Sequence, residues 1–224
     1  MAIIDYRPPT NPYLRFVYSD EHVLVLNKPS GLLSVPGKAL EHKDSLQLRV
    51  QRVYPSATVV HRLDMATSGL MLFALSKASH RHISKQFELR EVSKTYYARV
   101  YGHLSEAKGT IDAPLICDWP NRPKQMVDFE GGKSATTHFE VCSEDSYSSL
   151  IKLSPLTGRS HQLRVHMLHV GHPILGDRLY AHNKPLKAAP RLLLHAQHIA
   201  FRHPDTENMI EFCVEHDFET TAQA

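Results

Sequence analysis

The sequence has few cysteines and no long apolar run, and both absences restrict the class of protein. Its apolar stretches fall short of the roughly 18 residues that a membrane-spanning helix needs. The opening segment MAIIDYRPPTNP has neither a basic start nor a long apolar stretch, so it predicts no export signal. The three cysteines, Cys117, Cys142 and Cys213, are odd in number and widely spaced. That pattern is typical of buried thiols in a reducing cytoplasm rather than of a disulfide framework.

The usual patterns of a metal centre are also missing, although the chain contains 16 histidines. Neither CxxC nor HExxH occurs. His166 and His169 could share one face of a helix, but His161 lies five residues earlier and would point elsewhere. His172 follows a glycine that should end the helix. We therefore expect no metal, and we interpret these histidines as surface or hydrogen-bonding residues.

Charge and length indicate an ordinary globular protein. The apolar fraction of 42% and charged fraction of 22% are close to the averages for soluble domains. The net charge is +3, and residues 211–224 hold four acidic and no basic side chains, so the rest of the chain is more basic. This excess permits RNA as a partner without requiring it. The 224 residues predict one domain spanning 1–224.

The pattern of apolar and turn residues predicts an α+β fold. Prolines near the N-terminus indicate an extended arm over residues 1–18. Helices are expected at 45–53, capped by Asp44, and at 77–90. Strands are expected at 22–27, 70–76, 95–102, 135–141, 149–154 and 191–203. Strands and helices do not alternate regularly, which favours a largely antiparallel or mixed sheet.

Two segments are unusually rich in reactive side chains: VVHRLDMATSG at 59–69 and TGRSHQLRVHMLHVGHPILGD at 157–177. In the first, Asp64 could be a turn residue that binds the backbone N–H groups of residues 67–69. The alternative is that Asp64 is a catalytic carboxylate. The residue type alone favours the turn.

The second segment predicts an amphipathic helix. Ser160 is a suitable N-cap, Leu163, Met167 and Val170 recur on one face, and Gly171 should end the helix. Arg164 is adjacent to core-facing Leu163. A guanidinium in that position must be paired, most naturally with a carboxylate from elsewhere in the chain.

These residues occur in four motifs that resemble those of the RluA-type pseudouridine synthases: NKPSGLLSVPG, HRLDMATSGL, KTYYARVYG and GRSHQLRVHMLHVGHPILGD, in that order between residues 20 and 180. The resemblance implies a single catalytic domain around a long, mixed, mainly antiparallel sheet with flanking helices and an active cleft across its middle. It further implies that Asp64 is the essential acid, that Tyr96 lies against the target base, and that Arg164 pairs with Asp64.

The implied reaction breaks the bond from uracil N1 to the ribose and rejoins the base through C5. Atoms and oxidation state are conserved, so no cofactor is expected. Asp64 would either attack the sugar or the base, or remove a sugar proton, and each route needs its ionised form, which Arg164 would maintain. Tyr96 would stack on the base and help to remove the C5 proton. The uridine must leave its stack, and Arg62 is the candidate to fill the gap.

Further RNA contacts are expected from basic and motif residues. The candidates are Lys28, His61, Arg122, Lys124, Arg159, Leu163 and Arg178. The segment LICDWPNRPKQ at 115–125 resembles the small dual-specificity members of the family, which act on large-subunit ribosomal RNA and on transfer RNA loops. We therefore expect these two RNAs as partners, no membrane, no obligate protein partner, a monomer, and a cytoplasmic location.

Two other functions remain open at this point. An Asp-dependent hydrolase of a glycosidic bond would normally use a second carboxylate as proton donor, and we expect no second acidic residue from these motifs in that role. A non-catalytic RNA-binding module would not depend on Asp64. The pattern cannot choose the target uridine, because loop shape and indirect contacts select it.

Overall fold

A computed structural model describes residues 6–218 of the chain. These residues form two compact units, which are treated one at a time below. The first comprises residues 6–94 and 196–215 and contains Asp64, so we name it the Asp64 unit. The second comprises residues 95–195 and 216–218 and contains Arg164, so we name it the Arg164 unit.

Strands outnumber helices in the described part of the chain. The strands are β1 Phe16–Ser19, β2 Val23–Lys28, β3 Thr58–Val59, β4 Ser68–Ala74, β5 Ser93–Tyr101, β6 Lys108–Asp112, β7 Leu115–Cys117, β8 Gln125–Val127, β9 Thr136–Glu144, β10 Ser148–Pro155, β11 Leu194–Arg202 and β12 Met209–Cys213. The helices are α1 Leu46–Gln51, α2 Lys77–Leu89, α3 Gln162–His169 and α4 Asn183–Lys187, with short 3₁₀ turns at Leu40–His42 and Trp119–Asn121.

The Asp64 unit is built on the strand order β1-β2-β4-β11, with β3 on β4 and β12 on β11. Every residue of β2 and β4 is buried, and most of these residues are apolar on both faces, as in strands covered on each side. Helix α2 starts at the N-cap Ser76, whose hydroxyl accepts from the N–H of Ser79. Its Ile83 packs into the same core cluster as Val25 and Leu72.

The Arg164 unit is built on the antiparallel order β5-β10-β9-β6, accompanied by the separate β7–β8 hairpin. Leu115 of the hairpin lies in a core cluster with Val165 of α3 and Tyr180, and Val127 packs against that cluster. The base of the hairpin is therefore anchored to the helix that carries Arg164.

The α+β prediction is confirmed, and the predicted strands and the α2 helix agree with the structure to within a few residues. Helix α1 is capped by Ser45 rather than Asp44, because the Asp44 carboxylate instead accepts two hydrogen bonds from Arg49. The expectation of buried thiols is wrong for Cys142 and Cys213, which are exposed. The predicted single domain and its central cleft stay predictions.

The predicted arm covers residues 1–18. Residues 1–5 lie outside the described part of the chain, residues 6–15 are irregular, and β1 then begins at Phe16. Arg49 donates to the carbonyls of Pro9 and Tyr13, which holds the irregular segment in place. Among residues 6–218, no helix has the length and apolarity needed to cross a membrane.

The prediction for α3 needs correction. The helix is preceded by His161, in a left-handed conformation with φ 55°, and Ser160 is not its N-cap. All residues from Gln162 to Met167 are buried, so the helix is not amphipathic, whereas Val170 is partly exposed. The polar residues among them are buried because β9 and neighbouring loops supply hydrogen-bond partners, as described below.

Candidate active site and RNA-binding residues

Asp64 lies in the Asp64 unit, in the loop between β3 and β4, and is half-buried. The turn after it is closed by the main chain, since the N–H of Thr67 donates to the carbonyl oxygen of Asp64 at 3.1 Å. A backbone hydrogen bond therefore takes part in closing this turn. Both interpretations of Asp64, as a turn residue and as the catalytic carboxylate, stay predictions.

The segment that precedes α1 holds the Asp64 loop from one side. Lys28 Nζ and the N–H of Gly31 both donate to the carbonyl of Met65, at 3.1 and 2.8 Å. The hydroxyl of Ser30 donates to the carbonyl of Ala66 at 2.7 Å. Residues immediately after Asp64 are therefore fixed through their carbonyl oxygens.

The residues before Asp64 are held in a similar way. The hydroxyl of Ser34 donates to the carbonyl of Leu63 at 2.6 Å, and the N–H of Leu63 lies 3.1 Å from the same hydroxyl oxygen. His61 Nε2 accepts from the N–H of Leu72 at 3.0 Å, which ties the loop to β4. The backbone is thus restrained on both sides of Asp64, which limits the positions available to its carboxylate.

Lys28 is fully buried, and its ammonium group donates to three carbonyls, those of Pro29, Leu32 and Met65. Burial lowers the pKa of Lys28 to about 7, and the negative charge of Asp64 acts in the opposite direction. Three carbonyls use all three N–H donors of an ammonium group. We therefore replace the prediction of a phosphate contact at Lys28 with a structural role in holding the Asp64 loop.

His61 is also held inside the unit. Its ring stacks on Phe87, with ring centroids 5.0 Å apart. Burial, with a smaller contribution from Lys94, lowers the pKa of His61 to about 3, so the imidazole stays neutral at physiological pH. A neutral ring can accept from Leu72 as observed. The contacts of His61 therefore position the loop, and its contact with RNA remains a prediction.

Gly69 follows the loop as the second residue of β4. Its φ is +114°, and a Cβ at this position would collide with the backbone of Ala196 in β11. Only glycine satisfies both the conformation and the close approach. Arg62, two residues before Asp64, is exposed, so its guanidinium is accessible to RNA.

In the Arg164 unit, Tyr96 lies on β5 opposite Leu153 of β10 and is half-buried. Arg164 lies on α3 and forms a two-point ion pair with Asp177: Nε to Oδ2 at 2.7 Å and Nη2 to Oδ1 at 2.6 Å. The side chains of Arg164 and Asp177 are only 4% and 1% exposed. The requirement for a carboxylate partner of Arg164 is confirmed, and Asp177 supplies it. A pairing of Arg164 with Asp64 stays a prediction.

Sequence reasoning missed Asp177, although it closes the same motif that contains Arg164. The Oδ1 atom of Asp177 also accepts from the N–H groups of Leu179 and Tyr180, at 2.9 and 3.3 Å. The guanidinium of Arg164 lies over the Tyr180 ring, 5.0 Å from its centroid. The sequence signal for this ion pair is Asp177 itself, which follows Gly176 and lies thirteen residues after Arg164.

Tyr180 connects this ion pair to the β7–β8 hairpin. Its hydroxyl accepts from the N–H of Gln125 at 2.8 Å and lies 2.7 Å from Nδ1 of His161. Because the hydroxyl oxygen accepts from Gln125, its proton is available to His161. The ring and the hydroxyl of Tyr180 therefore contact two different parts of the unit.

The other polar residues of α3 are satisfied by β9 and adjacent loops. Gln162 Nε2 donates to Thr137 Oγ1 at 3.0 Å, and the hydroxyl of Thr157 donates to Gln162 Oε1 at 2.7 Å. His166 lies 2.9 Å from Thr137 Oγ1 and 3.0 Å from the carbonyl of Ala113. Burial lowers the pKa of His166. Among residues 6–218, no group of three or more His, Cys, Asp or Glu side chains could hold a metal ion.

Comparison with known proteins supplies the family. The family model described as RNA pseudouridylate synthase matches residues 22–169. The dual-specificity RNA pseudouridine synthase RluA of Escherichia coli (strain K12) is 55% identical over 220 residues, covering 97% of this chain and 100% of its own. This chain belongs to the RNA pseudouridine synthase family. Its enzyme class is therefore that of an isomerase.

Other relatives agree with this assignment. The Yersinia pestis protein of the same name is 58% identical over 203 residues, which cover 90% of this chain and 98% of that protein. The solved structure of human RNA Pseudouridylate Synthase Domain Containing 1 has a TM-score of 0.79 at 29% identity, covering 95% of this chain and 87% of that one. Human RNA Pseudouridylate Synthase Domain Containing 4, at 24% identity and a TM-score of 0.71 over 90% and 88% of the two chains, shares the fold.

The remaining RNA-binding candidates of this pseudouridine synthase differ in accessibility. Arg122, Arg159 and Arg178 are exposed, and Lys124 is half-buried. Arg159 Nε donates to the carbonyl of Ser134 at 3.0 Å. Leu163 is only 7% exposed, since it lies in the buried part of α3. All five occur in the Arg164 unit, whereas Arg62 and His61 occur in the Asp64 unit.

Proposed function

We propose that this pseudouridine synthase isomerises specific uridines in the loops of both large-subunit ribosomal RNA and transfer RNA. The support is the high identity to relatives named as dual-specificity enzymes, over almost the full length of both chains. The segment 115–125, which covers β7, the hairpin tip and the first residue of β8, carries the same resemblance. The enzyme acts in the cytoplasm as a monomer and needs neither a cofactor nor an obligate protein partner.

The observation that carries the catalytic part of the proposal is the restraint of the loop around Asp64. Main-chain groups of residues 63, 65 and 66 are each bound by residues 28–34. A loop held in this way presents its acidic side chain in a limited range of positions. Catalysis by a carboxylate requires such positioning relative to the substrate. Asp64 acts either by attacking the sugar or the base, or by removing a sugar proton, and each route uses the ionised carboxylate.

Tyr96 and Arg164 complete the proposed chemistry. The Tyr96 ring stacks on the target uracil, and its hydroxyl assists removal of the C5 proton after the base has rejoined the ribose. Arg164, whose geometry is set by Asp177, supplies positive charge that keeps Asp64 ionised. Arg62 occupies the gap that the extruded uridine leaves in the RNA stack.

The phosphate contacts are assigned to the accessible basic residues. Arg122, Lys124, Arg159 and Arg178 bind the RNA backbone, and Lys28 does not, because its ammonium is buried against carbonyls. Leu163 and His61 contribute to RNA binding through the shape of the surface around the extruded base.

The decisive experiment compares Asp64→Asn with the control Asp205→Asn. Asp205 has an exposed carboxylate in the same unit. RNA with tritium at C5 of uridine is incubated with each protein, and released tritium and free uracil are both measured. Asp64→Asn should lower tritium release at least about 1,000-fold while RNA binding persists, and Asp205→Asn should act as the wild type does.

Other results would select the alternative functions. Free uracil in place of pseudouridine would indicate a glycosidic-bond hydrolase. Full activity of Asp64→Asn would contradict the catalytic role of Asp64. Pseudouridine mapping of ribosomal and transfer RNA from cells that lack the protein, with and without a plasmid copy, tests the two targets separately, since loss at one RNA alone would remove dual specificity.

A further inference from the structure

The single tryptophan of the chain lies at the tip of the β7–β8 hairpin, where Trp119 is 64% exposed. An exposed indole offers a flat apolar surface on which a second ring can stack. The core of the Arg164 unit takes up Leu115 and Val127 of the same hairpin but leaves Trp119 outside. The hairpin therefore presents Trp119 outwards.

The tip that carries Trp119 is ordered by its own hydrogen bonds. The N–H of Asn121 donates to the carbonyl of Asp118, and the N–H of Asp118 donates to the carbonyl of Lys124, both at 3.0 Å. The side-chain amide of Asn121 donates to both carboxylate oxygens of Asp118, at 3.1 and 3.0 Å. Trp119 begins the 3₁₀ turn that these bonds enclose. The backbone that carries the indole is thus ordered before any ligand binds, which reduces the entropy lost on binding.

Arg122 lies against the indole of Trp119. Its guanidinium carbon is 4.3 Å from the ring centroid, and its Nε donates to the carbonyl of Trp119 at 3.0 Å. A stacked guanidinium keeps N–H groups directed outwards in its own plane, where they suit phosphate oxygens. Lys124 adds a second positive charge to the tip. An aromatic surface next to positive charge matches one ligand in particular, an unpaired nucleotide, which has a flat base and a phosphate.

The tip is firmly connected to the unit that carries Arg164. The N–H of Gln125 donates to the hydroxyl of Tyr180, whose ring lies under the Arg164 guanidinium. A nucleotide bound at the tip would therefore be held in a fixed relation to Arg164. A contact of that kind can select the RNA without taking part in bond breaking.

We propose that Trp119 and Arg122 form a base-stacking subsite for an unpaired nucleotide of the substrate loop other than the target uridine. The inference rests on the proposed function, because it takes the RNA loop as the substrate. The indole stacks on the base, and Arg122 and Lys124 bind the adjoining phosphates. The subsite determines which loops bind, and the chemical step at the target uridine does not use it.

Tryptophan fluorescence tests the subsite directly, since Trp119 is the sole source of that emission. Asp64→Asn protein is titrated with an RNA hairpin whose loop carries the target uridine, and binding is followed independently by the anisotropy of a label on the RNA. Stacking should quench the emission along the same saturation curve as the anisotropy. A fully paired duplex of equal length should leave the emission unchanged. Saturated hairpin binding with unchanged emission would overturn the proposal.

Steady-state kinetics of variants provide the second test. Trp119→Ala should raise the KM for RNA about 10-fold to 100-fold and leave kcat near the wild-type value, because base stacking contributes to binding alone. Trp119→Phe should retain most of the affinity. Arg122→Lys keeps the charge but loses the planar group, so its KM should lie between the two.

Phe129→Ala is the matched control, since Phe129 is another exposed aromatic side chain of the Arg164 unit. It should leave KM unchanged. An equal rise in KM for Phe129→Ala, or a fall in kcat without a rise in KM for Trp119→Ala, would contradict the subsite. These results stay separate from the reaction itself. If wild-type protein made no pseudouridine, the proposed function would fail, whereas the fluorescence titration would still report whether a base stacks on Trp119.

Discussion

The two units hold their candidate catalytic residues by different means. Asp64 lies in a loop, and donors from residues 28–34, both neutral and charged, bind the carbonyl oxygens of that loop. Arg164 lies on helix α3, and the buried carboxylate of Asp177 binds its side chain directly. The position of Asp64 is thus set through its backbone, whereas the position of Arg164 is set through its side chain.

This difference follows from local structure. A loop lacks the repeating hydrogen bonds of a helix, so each of its buried backbone groups needs a separate partner. A helix satisfies the hydrogen-bonding groups of its own backbone. The free-energy cost at α3 comes from burying the guanidinium of Arg164, which requires a carboxylate partner. We therefore expect the position of Arg164 to depend on one strong charged pair, and the position of Asp64 to depend on several weaker bonds.

The largest effect should come from breaking the charged pair. Asp177→Asn removes the carboxylate that binds the buried Arg164 guanidinium at two points, so the free energy of unfolding should fall by about 3 to 5 kcal/mol. Urea denaturation followed by circular dichroism measures it. The control is Glu140→Gln in the same unit, which removes an exposed partner of Lys152 at 3.9 Å and should change stability by less than about 0.5 kcal/mol. Equal losses for the two variants would remove the contrast between the units.

The next effect should come from Lys28 in the Asp64 unit. Lys28→Met keeps the length of the side chain but leaves three carbonyls without their donor, and the free energy of unfolding should fall by about 2 to 3 kcal/mol near neutral pH. The kcat for pseudouridine formation should fall as well, because the Asp64 loop loses a restraint. Lys85→Met, at an exposed lysine on α2, is the control and should be close to neutral.

The pH dependence of stability distinguishes a buried ammonium from an ordinary one. Burial lowers the pKa of Lys28 to about 7 from its ordinary value of 10.5. Between these values the unfolded chain binds more protons than the folded chain, so this group makes stability rise with pH across that window. The stability of the wild type relative to Lys28→Met should accordingly increase from about pH 7 to pH 10. A flat difference would show that Lys28 titrates as an exposed lysine does.

Much of the fold could be predicted from the sequence because its signals are local. The strand β4 contains an apolar run that follows Gly69, and α2 begins after the serine cap Ser76. The pairing of Arg164 was expected because a buried guanidinium has few alternatives. Asp177 could have been named as its partner from the same motif.

The roles of Lys28 and His61 could not be predicted, because they depend on contacts distant in sequence. The sequence alone gives Lys28 the properties of a surface charge. In the structure its ammonium group instead binds the carbonyl of Met65, which lies 37 residues later in the chain. Helix α3 was misread for a related reason. An amphipathic helix would expose its polar face, but Thr137 of β9 lies against Gln162 and His166 and satisfies them in the interior.

The smallest effect should come from the hydroxyl of Tyr180. Tyr180→Phe keeps the ring under the Arg164 guanidinium and removes only the oxygen that binds Gln125 and His161, so the free energy of unfolding should fall by about 1 kcal/mol. If the ion pair with Asp177 alone positions Arg164, kcat should be unchanged. The KM for RNA should rise slightly, because the hairpin loses an anchor at its base.

Tyr180→Leu is the matched comparison, since it removes the ring as well as the hydroxyl. It should lower stability further and should also lower kcat, because Arg164 then loses the aromatic surface on which its guanidinium rests. Steady-state kinetics and urea denaturation of the two variants separate the contributions. If Tyr180→Phe lowered kcat as much as Tyr180→Leu, Arg164 would depend on neutral hydrogen bonds as the Asp64 loop does, and the two units would hold their residues by the same means.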